Sequence, residues 1–281
     1  MKNDLTNTRL AFVGCGVMAE SMIAGLLRKE LVAPEQIAAS HPRASRRADL
    51  AGKYNIGTFE NNAEAVEAIQ TSENAIVALC VKPQRLDGVL RELGNSVAPN
   101  QIVLSIVAGA TIETLSQSLK NQKVIRAMPN TPSQIGAGIT AWTCTENVSE
   151  AERERIKALL TALGKELFVE TENMIDMATS LSATGPTYIF MVMEALTDAG
   201  VHLGFSRETA RELVQETMLG SVKFAMESHK HPAELRNMVT SPGGTSAEAI
   251  YQMEKGGLRT VLSKAVYAAY QKAIALGRKS E

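Results

Sequence analysis

Hydrophobic positions change their spacing once along this chain, near Glu170. Before that residue, short apolar runs rich in β-branched side chains alternate with segments of helical periodicity. The runs predict strands at residues 9–14, 36–40, 74–81, 101–106, 123–127, 138–144 and 165–169. Because strands that alternate with helices usually pair in parallel, this part of the chain predicts an α/β fold with a doubly wound, mostly parallel sheet of the Rossmann type.

Beyond Glu170 the pattern is helical throughout. Apolar residues recur at the spacing of amphipathic helices, and glycine or proline interrupts them. Helices are predicted at residues 174–184, 186–203, 206–228, 231–239, 245–255 and 257–277. The chain is therefore expected to divide into a Rossmann-type domain at residues 1–170 and an all-α C-terminal domain at residues 171–281.

A glycine-rich turn joins the first predicted strand to the first predicted helix. Its sequence, Gly14-Cys15-Gly16-Val17-Met18-Ala19, fits the G-x-G-x-x-A fingerprint of dinucleotide-binding folds in the required strand–turn–helix context. The first glycine makes the tight turn, the second lets a pyrophosphate approach the backbone, and the alanine allows close packing of helix on strand. All residues of this turn are candidate cofactor ligands.

The end of the second strand indicates which coenzyme the turn would serve. An NAD site usually has an acidic residue there, but this chain has Ser40, and no carboxylate occurs between Glu35 and Asp49. Three arginines follow, at Arg43, Arg46 and Arg47. A hydroxyl and a guanidinium suit a 2′-phosphate, so Ser40 and Arg43 join the candidates and NADPH is favoured, with NADH possible. The alternative is that the arginines only solvate a helix face.

Further loops follow the later strands. In a parallel sheet such loops meet at the carboxyl edge, where α/β folds bind their ligands. Turn residues such as proline also occur there for ordinary reasons. The candidate cofactor ligands in these loops are Val81, Lys82, Pro83 and Ala108, to which Asn62 is added.

A second conspicuous loop lies late in the helical part, at Ser241-Pro242-Gly243-Gly244-Thr245-Ser246. Consecutive glycines before a helix leave backbone N–H groups bare, and the positive end of the helix dipole favours an anion. The alternative is a capping box, with Thr245 as the N-cap and Glu248 reaching back. The loop by itself leaves both interpretations open.

Composition narrows the classes of function. The chain has 281 residues with 29 basic and 30 acidic side chains, a balance that favours neither nucleic acid nor an acidic membrane surface as a partner. The longest apolar run, Ala75 to Val81, is too short to span a bilayer, and Met1 to Thr8 has no apolar signal core. Three scattered cysteines fit neither a disulfide framework nor a metal site. A cytoplasmic protein without metal is expected.

Six motifs, spread over nearly the whole chain, resemble those of the pyrroline-5-carboxylate reductases. They are GCGVMAE at 14–20, VKPQ at 81–84, SIVAG at 105–109, RAMPNTP at 126–132, LSATGPTYIF at 181–190 and VTSPGGTSAEAI at 239–250. In the fifth motif Ala183, Thr184 and Thr187 replace the Gly, Ser and Ala usual in the family. In the last, Ser246 stands where the family usually has Thr. These departures concern substrate fit more than reaction class.

The resemblance implies an enzyme that reduces the C=N bond of 1-pyrroline-5-carboxylate to L-proline, with hydride from NADPH or NADH. It implies that the substrate carboxylate lies on the amides of the late glycine loop and that the catalytic Ser246 hydroxyl contacts the ring nitrogen. The implied substrate ligands are Ser241, Gly243, Gly244, Thr245 and Ser246. Helical domains that interlock between subunits are also implied, giving at least a homodimer with each active site near the subunit junction.

Two other classes remain as alternatives. A β-hydroxyacid dehydrogenase also joins a Rossmann-type domain to a helical one, but its chemistry needs an acid or base, typically a lysine after a glycine turn. Here the turn Thr184-Gly185-Pro186 is followed by no lysine as far as Met193. A non-catalytic NADP-binding protein is the other alternative, and it would not need the late glycine loop.

Overall fold

In the computed structural model, which describes residues 5–277, the described residues form eight strands and twelve α-helices. The strands are β1 (Thr8–Val13), β2 (Ile37–Ser40), β3 (Gly57–Phe59), β4 (Asn74–Leu79), β5 (Ile102–Ser105), β6 (Val124–Met128), β7 (Gly138–Cys144) and β8 (Gly164–Phe168). The helices that alternate with them are α1 (Val17–Arg28), α2 (Ala44–Tyr54), α3 (Asn62–Glu67), α4 (Leu86–Leu93), α5 (Ile112–Leu119) and α6 (Glu150–Thr161).

Helices alone follow β8. They are α7 (Asn173–Ala178), α8 (Gly185–His202), α9 (Arg207–Ser228), α10 (Pro232–Met238), α11 (Thr245–Lys255) and α12 (Leu258–Gly277). A π-helical stretch, Thr179–Ala183, joins α7 to α8. The change from strands to helices after residue 170 is thus found where the periodicity predicts it.

The strands form one sheet in the order β3-β2-β1-β4-β5-β6-β7-β8. Neighbouring strands are parallel except β6 and β7, which pair antiparallel, so the predicted doubly wound, mostly parallel sheet is confirmed. The exception has a local cause: no crossover helix lies between β6 and β7, and parallel pairing needs one. The prediction missed β3, because three residues are too short to show an alternating pattern.

The sheet is buried on both faces, as expected when helices cover both sides of parallel strands. Leu10 and Phe12 of β1 point into one apolar layer, with residues of α1 and α6. Ala11 and Val13 point into the other layer, with residues of α3, α4 and α5. Both faces of the sheet are therefore closed to a ligand. A site can form in the loops at the carboxyl edge of the strands, where α/β folds bind their ligands.

A fully buried arginine ties α7 to this sheet. Arg126 on β6 is 2% exposed, and its Nη1 lies 2.7 Å from Oε1 of Glu172 while its Nη2 lies 2.8 Å from Oδ1 of Asp176. The same Glu172 oxygen accepts the backbone N–H of Ile112 at the start of α5 (2.7 Å). One guanidinium thus fixes the first helix after the strands against the sheet.

The described chain divides into two compact units, and the boundary between them lies later in the sequence than the predicted residue 170. The first unit runs to Thr184 and also takes in the chain from Ala269 onward, and the second is Gly185–Ala268. The predicted boundary after residue 170 places α7 and the π-helical stretch with the helical domain, whereas their contacts group them with the sheet. Helical periodicity reports the local conformation of a segment and not the element against which it packs.

The end of α12 also packs within the first unit. Gly109, in the loop after β5, has φ +76°, and a Cβ built there would lie 2.6 Å from the backbone carbon of Leu276. Side chains add a second contact, because the Tyr270 hydroxyl donates to Oδ1 of Asn173 (3.0 Å). Glycine is therefore required at residue 109 both by its backbone conformation and by the close approach of α12.

The second unit has almost no interior of its own. Helices α8 and α9 approach closely where a Cβ on Gly200 would lie 2.9 Å from Cβ of Ala210. Only Thr197 and Ala210 are buried among its residues, all of which the structure describes. Large apolar side chains stay exposed on its helices and on the turn between α8 and α9, including Phe190, Leu196, Leu203, Phe205, Leu213 and Phe224. Such a surface is typical of a unit that packs against another protein chain.

Residues 5–277 contain neither a candidate membrane-spanning helix nor a candidate cluster of metal ligands. No helix within this range is long and apolar enough to cross a membrane. The same residues contain no group of three or more His, Cys, Asp or Glu side chains placed to hold a metal ion. The prediction of a polar N-terminus falls partly on residues 1–4, which lie outside the described residues.

The buried arginine cluster gives a first prediction. Replacing Arg126 with Ala leaves the carboxylates of Glu172 and Asp176 without their shared cation beside an unfilled space. We expect the free energy of unfolding, measured by urea titration, to fall by about 3 kcal/mol. Arg207→Ala is the matched control: it breaks an ion pair of the same length (2.8 Å, with Asp198) between largely exposed groups and is expected to cost less than about 1 kcal/mol. Equal losses in the two variants would contradict this account.

Candidate functional site

The glycine turn after β1 is held in a conformation that only glycine adopts easily. Gly14 has φ +81°, and a Cβ built on it would collide with Cγ1 of Val81, in the loop after β4. Its N–H donates to Oγ of Ser40 (3.2 Å), and the next N–H, of Cys15, donates to the Ser40 carbonyl (2.8 Å). The turn is therefore built from contacts with the ends of β2 and β4.

Gly16 has a different reason to be glycine. A Cβ built there would find no atom nearer than the Gly14 carbonyl oxygen at 4.0 Å, so protein packing does not demand a glycine. Gly16 is the N-cap of α1, and no side chain caps the helix. Bare amides and open space at a helix N-terminus suit a pyrophosphate, so the residues present fit a dinucleotide.

The other residues of the turn divide between packing and exposure. Cys15 and Ala19 are completely buried, and burial raises the pKa of the Cys15 thiol to about 12, so the thiol stays protonated. Val17 is 63% exposed, and Met18 is half-buried. The Cys15 thiol is therefore buried away from any ligand, and its backbone N–H and carbonyl are held by Ser40 and Arg46. Ala19 allows α1 to pack closely on the sheet, as the fingerprint predicts.

In the structure the Ser40 side chain is engaged within the protein. Its side chain is completely buried; Oγ accepts the Gly14 N–H (3.2 Å) and donates to Oδ1 of Asn62 (2.6 Å). A hydroxyl used in this way supports the glycine turn, and its contact with a 2′-phosphate stays a prediction. The sequence places Ser40 correctly at the end of β2, but it cannot reveal that the hydroxyl is already engaged.

Asn62, the first residue of α3, is engaged as well. Its backbone N–H donates to Oε1 of Glu92 (2.8 Å), and its side-chain nitrogen donates to Oε2 of the same carboxylate (2.6 Å). Glu92 lies on α4 and is exposed. A chain of hydrogen bonds thus runs from the first glycine of the turn through Ser40 and Asn62 to an acidic residue at the surface.

Of the three arginines after β2, two are committed to the protein. Arg46 pairs with Glu20 on α1 (2.6 Å). Arg47 donates to the carbonyls of His41 and Pro42 and pairs with Glu60 (2.8 Å). Neither is therefore free to take a phosphate without giving up an ion pair.

Arg43 is the arginine that stays available. It is exposed, and its guanidinium makes no hydrogen bond or ion pair with the part of the chain that the structure describes. The neighbouring His41 registers the local positive charge: burial lowers the pKa of its imidazole, and the nearby arginines, first Arg43 and then Arg46, lower it further. Of the three guanidiniums, Arg43 is thus the one that forms no ion pair with the described part of the chain.

The remaining cofactor candidates lie at the same carboxyl edge. Val81 and Lys82 follow β4, Pro83 starts a short 3-10 turn, and Ala108 lies in the loop after β5. Since β1, β4 and β5 are neighbours in the sheet, these loops adjoin the glycine turn. The strand order reverses between β1 and β4, which is where doubly wound folds open a ligand crevice.

In the second unit, the loop before α11 is open at its helix end. Gly244, and not Thr245, is the N-cap, no side chain caps the helix, and Glu248 Oε1 accepts from Gln252 instead of reaching back (2.9 Å). The capping-box alternative is therefore wrong. Gly243 has φ +69°, and the Gly244 N–H closes the turn on the Ser241 carbonyl (3.0 Å).

The candidate substrate residues surround this helix end. Ser241, Gly243 and Thr245 are exposed, and Gly244 and Ser246 are half-buried. The amides of Thr245 and Ser246 belong to the first turn of α11, where no intrahelical acceptor exists for them. The loop thus brings together bare amides and three hydroxyls, a combination suited to a small carboxylate.

Known proteins match the chain along its whole length. Residues 172–276 match the family model described as pyrroline-5-carboxylate reductase dimerisation, and residues 9–109 match that described as NADP oxidoreductase, coenzyme F420-dependent. The pyrroline-5-carboxylate reductase of Pseudomonas aeruginosa is 40% identical over 276 residues, covering 98% of this chain and 99% of the relative. The chain belongs to the pyrroline-5-carboxylate reductase family.

Other members of the family agree in sequence and fold. The enzyme of that name from Synechocystis is 37% identical, with 96% of this chain and 99% of the relative covered. The crystal structure of the Coxiella burnetii reductase has a TM-score of 0.86 at 32% identity, covering 98% of this chain and all of that one. The Plasmodium falciparum reductase, solved with NADP bound, also has a TM-score of 0.86, at 26% identity and with 96% and 98% covered.

One group near the glycine turn was missed by the sequence reasoning. Glu20, on α1, accepts hydrogen bonds from Arg46 (2.6 Å), Lys53 (2.9 Å) and the Tyr54 hydroxyl (2.9 Å). Arg46 also donates through Nε to the Cys15 carbonyl (3.3 Å). Glu20 therefore holds Arg46 in place, and Arg46 in turn supports the glycine turn through the Cys15 carbonyl. The three partners lie 26 or more positions after Glu20 in the sequence, so no short motif predicts the cluster.

The Glu20 cluster gives a prediction about acid stability. Burial by itself raises the pKa of this carboxyl, but the hydrogen bonds from Lys53, Arg46 and Tyr54 outweigh it and lower the pKa to about 2. A depressed folded-state pKa stabilises the protein by at most about 3 kcal/mol above pH 5, and this contribution is lost as the pH falls towards 2. We expect Glu20→Gln to be clearly less stable than wild type at pH 7 and to converge with it near pH 2.

Urea unfolding at a series of pH values measures this effect. The control is Glu35→Gln, which removes an exposed carboxyl in the turn before β2 and is expected to leave the pH profile unchanged. A constant difference between wild type and Glu20→Gln from pH 7 to pH 2 would show that the glutamate acts by packing and not by its charge.

Proposed function

We propose that this protein reduces the C=N bond of 1-pyrroline-5-carboxylate to L-proline by hydride transfer from NADPH, with NADH as a possible substitute. The observation that carries the proposal is the uncapped glycine loop before α11, which offers bare amides to a small carboxylate. The dinucleotide turn after β1 supports it, as do the relatives named pyrroline-5-carboxylate reductase.

The sheet unit is the part that would hold the coenzyme. Within the turn from Gly14 to Ala19, the unpaired first-turn amides of α1, at Val17, Met18 and Ala19, would take the pyrophosphate, and Arg43 would take the 2′-phosphate. The loops after β4 and β5 would line the crevice through Val81, Lys82, Pro83 and Ala108. When bound, the reduced nicotinamide supplies the hydride that the protein itself cannot provide.

The helical unit would hold the substrate. Its carboxylate would accept hydrogen bonds from the amides at the start of α11, with the hydroxyls of Ser241 and Thr245 beside them. The Ser246 hydroxyl oxygen would accept the N–H of the ring iminium and, once the ring nitrogen has become an amine, donate to its new lone pair. Since a cyclic iminium is already electrophilic, the protein's task is mainly orientation and exclusion of water.

A second copy of the chain would complete the enzyme. The second unit has almost no buried residues, and it lies within the range that matches the dimerisation model of the family. We propose at least a homodimer, with α12 residues such as Leu258, Val261, Leu262 and Val266 in the interface and each active site near the subunit junction. Three cysteines without disulfides accord with the reducing cytoplasm as its place of action.

The coenzyme assignment predicts a selective effect of Arg43. Replacing it with Ala removes a charge-assisted hydrogen bond to the 2′-phosphate, worth about 1.5–3 kcal/mol. We expect the KM for NADPH to rise about tenfold or more, while the KM for NADH changes little. Arg211→Ala, an exposed arginine on α9, serves as the control and is expected to change neither constant. Equal losses for the two coenzymes in Arg43→Ala would mean that this residue does not recognise the phosphate.

The substrate assignment is tested at Ser246. Ser246→Ala removes a hydrogen bond to a charged ring nitrogen and is expected to lower kcat/KM for pyrroline-5-carboxylate about 10- to 150-fold. Ser246→Thr keeps the hydroxyl and is expected to retain most activity, and the affinity for NADPH should stay constant in both variants. NADPH oxidation by wild type should require pyrroline-5-carboxylate and should not be supported by 3-oxo acids, the substrates that a β-hydroxyacid dehydrogenase reduces.

Steady-state assays combined with melting curves separate the possible roles of this serine. A folded Ser246→Ala variant with wild-type kcat/KM would leave the residue a purely structural part of the first turn of α11. A loss in both variants, with melting temperatures unchanged, would show that side-chain size and not the hydroxyl matters. Wild-type protein that does not oxidise NADPH with this substrate would overturn the proposed function itself.

A further inference from the structure

The sequence shows no acidic residue at the end of β2, yet the fold brings one there. Ser40 occupies the position at which NAD-binding folds carry the acid for the ribose 2′-hydroxyl. Its hydroxyl is 2.6 Å from Oδ1 of Asn62, and the backbone and side-chain nitrogens of Asn62 each donate to the Glu92 carboxylate, at 2.8 and 2.6 Å. A single residue, Asn62, thus links the acidic Glu92 of α4 to Ser40 at the recognition position.

Building on the proposed function, we propose that Glu92 is a specificity-determining residue: its carboxylate weakens the binding of a 2′-phosphorylated dinucleotide and so keeps NADH usable. Each carboxylate oxygen has a lone pair left after its bond to Asn62, and the residue is exposed. It can therefore accept from a ribose 2′-hydroxyl, whereas it repels a phosphate at the same place.

The neighbouring charges set the balance of this site. Arg43 is the free guanidinium on the side of β2, and Arg47 is neutralised by Glu60, at 2.8 Å. The recognition position thus has one uncommitted cation, Arg43, and one carboxylate that is bonded only to neutral donors, Glu92. A cation favours the phosphorylated coenzyme and a carboxylate the unphosphorylated one, so the ratio of the two affinities depends on both residues.

The test measures equilibrium binding of both coenzymes without substrate. Dissociation constants for NADPH and NADH are obtained from the fluorescence of the reduced nicotinamide, for wild type, Glu92→Gln and Glu92→Ala. We expect the preference for NADPH over NADH to rise about three- to tenfold in both variants at low salt, because a screened like charge has been removed. The rise should shrink at 0.5 M salt, where exposed charges are more strongly screened.

The matched control is Asp87→Asn. Asp87 is another exposed acid on α4, outside the contacts with Asn62, and its neutralisation is expected to leave the preference unchanged. Melting curves of each variant with and without coenzyme provide a second measure of binding, independent of turnover.

The outcomes decide between distinct roles. An equal loss of both affinities in the two Glu92 variants would overturn the proposal and leave this residue a support for Asn62 and the glycine turn. Unchanged affinities, or a preference that rises equally in Asp87→Asn, would overturn it as well. Failure of the proposed function looks different, since wild-type protein would then fail to oxidise NADPH with pyrroline-5-carboxylate, whatever its affinities for the two coenzymes.

Discussion

A turn that must present bare amides to a ligand cannot use its own side chains for support. In this protein the constraint governs the glycine turn after β1, and the rest of the sheet unit supplies what the turn lacks. Ser40 holds the Gly14 amide from the end of β2, and Arg46 holds the Cys15 carbonyl from α2. Asn62 is hydrogen-bonded to Ser40 and Glu20 to Arg46, and these contacts orient the two supporting side chains. The turn is thereby supported without side chains of its own.

The loop before α11 meets the same requirement with fewer means. Its helix end has no side-chain cap, and the turn is closed by the bond from the Gly244 amide to the Ser241 carbonyl. The preceding segment is fixed by Thr240, whose hydroxyl donates to the Arg236 carbonyl (2.7 Å). Hydroxyl residues are thus used to shape the backbone, and the first amides of the helix remain for a ligand. Leaving them unpaired costs stability, which is the usual expense of a binding site.

The two units also differ in how they bury apolar surface. The sheet has closed layers on both faces, and the buried Arg126 fastens α7 to it with charge-assisted bonds. The helical unit leaves side chains such as Phe190 and Leu203 exposed, at 57% and 82%. A unit with so little interior buries little apolar surface by itself, which fits its match to the dimerisation model of the family. Assembly and the shape of this unit are therefore parts of one problem.

Sequence alone determined the features that depend on short stretches of chain. The periods of two and of 3.6 residues predicted seven of the eight strands and the run of helices after residue 170, and the spacing of glycines located both glycine turns that precede a helix. The Gly14 and Gly243 conformations follow from local sterics, so a motif is enough to predict them. What only the tertiary structure decided involves partners far apart in the chain. The place of α7 against the sheet, the engagement of Ser40 and the position of Glu92 beside Asn62 all depend on which elements the topology makes neighbours. No local pattern contains that information, because hydrogen bonds and ion pairs between distant segments exist only once the chain has folded.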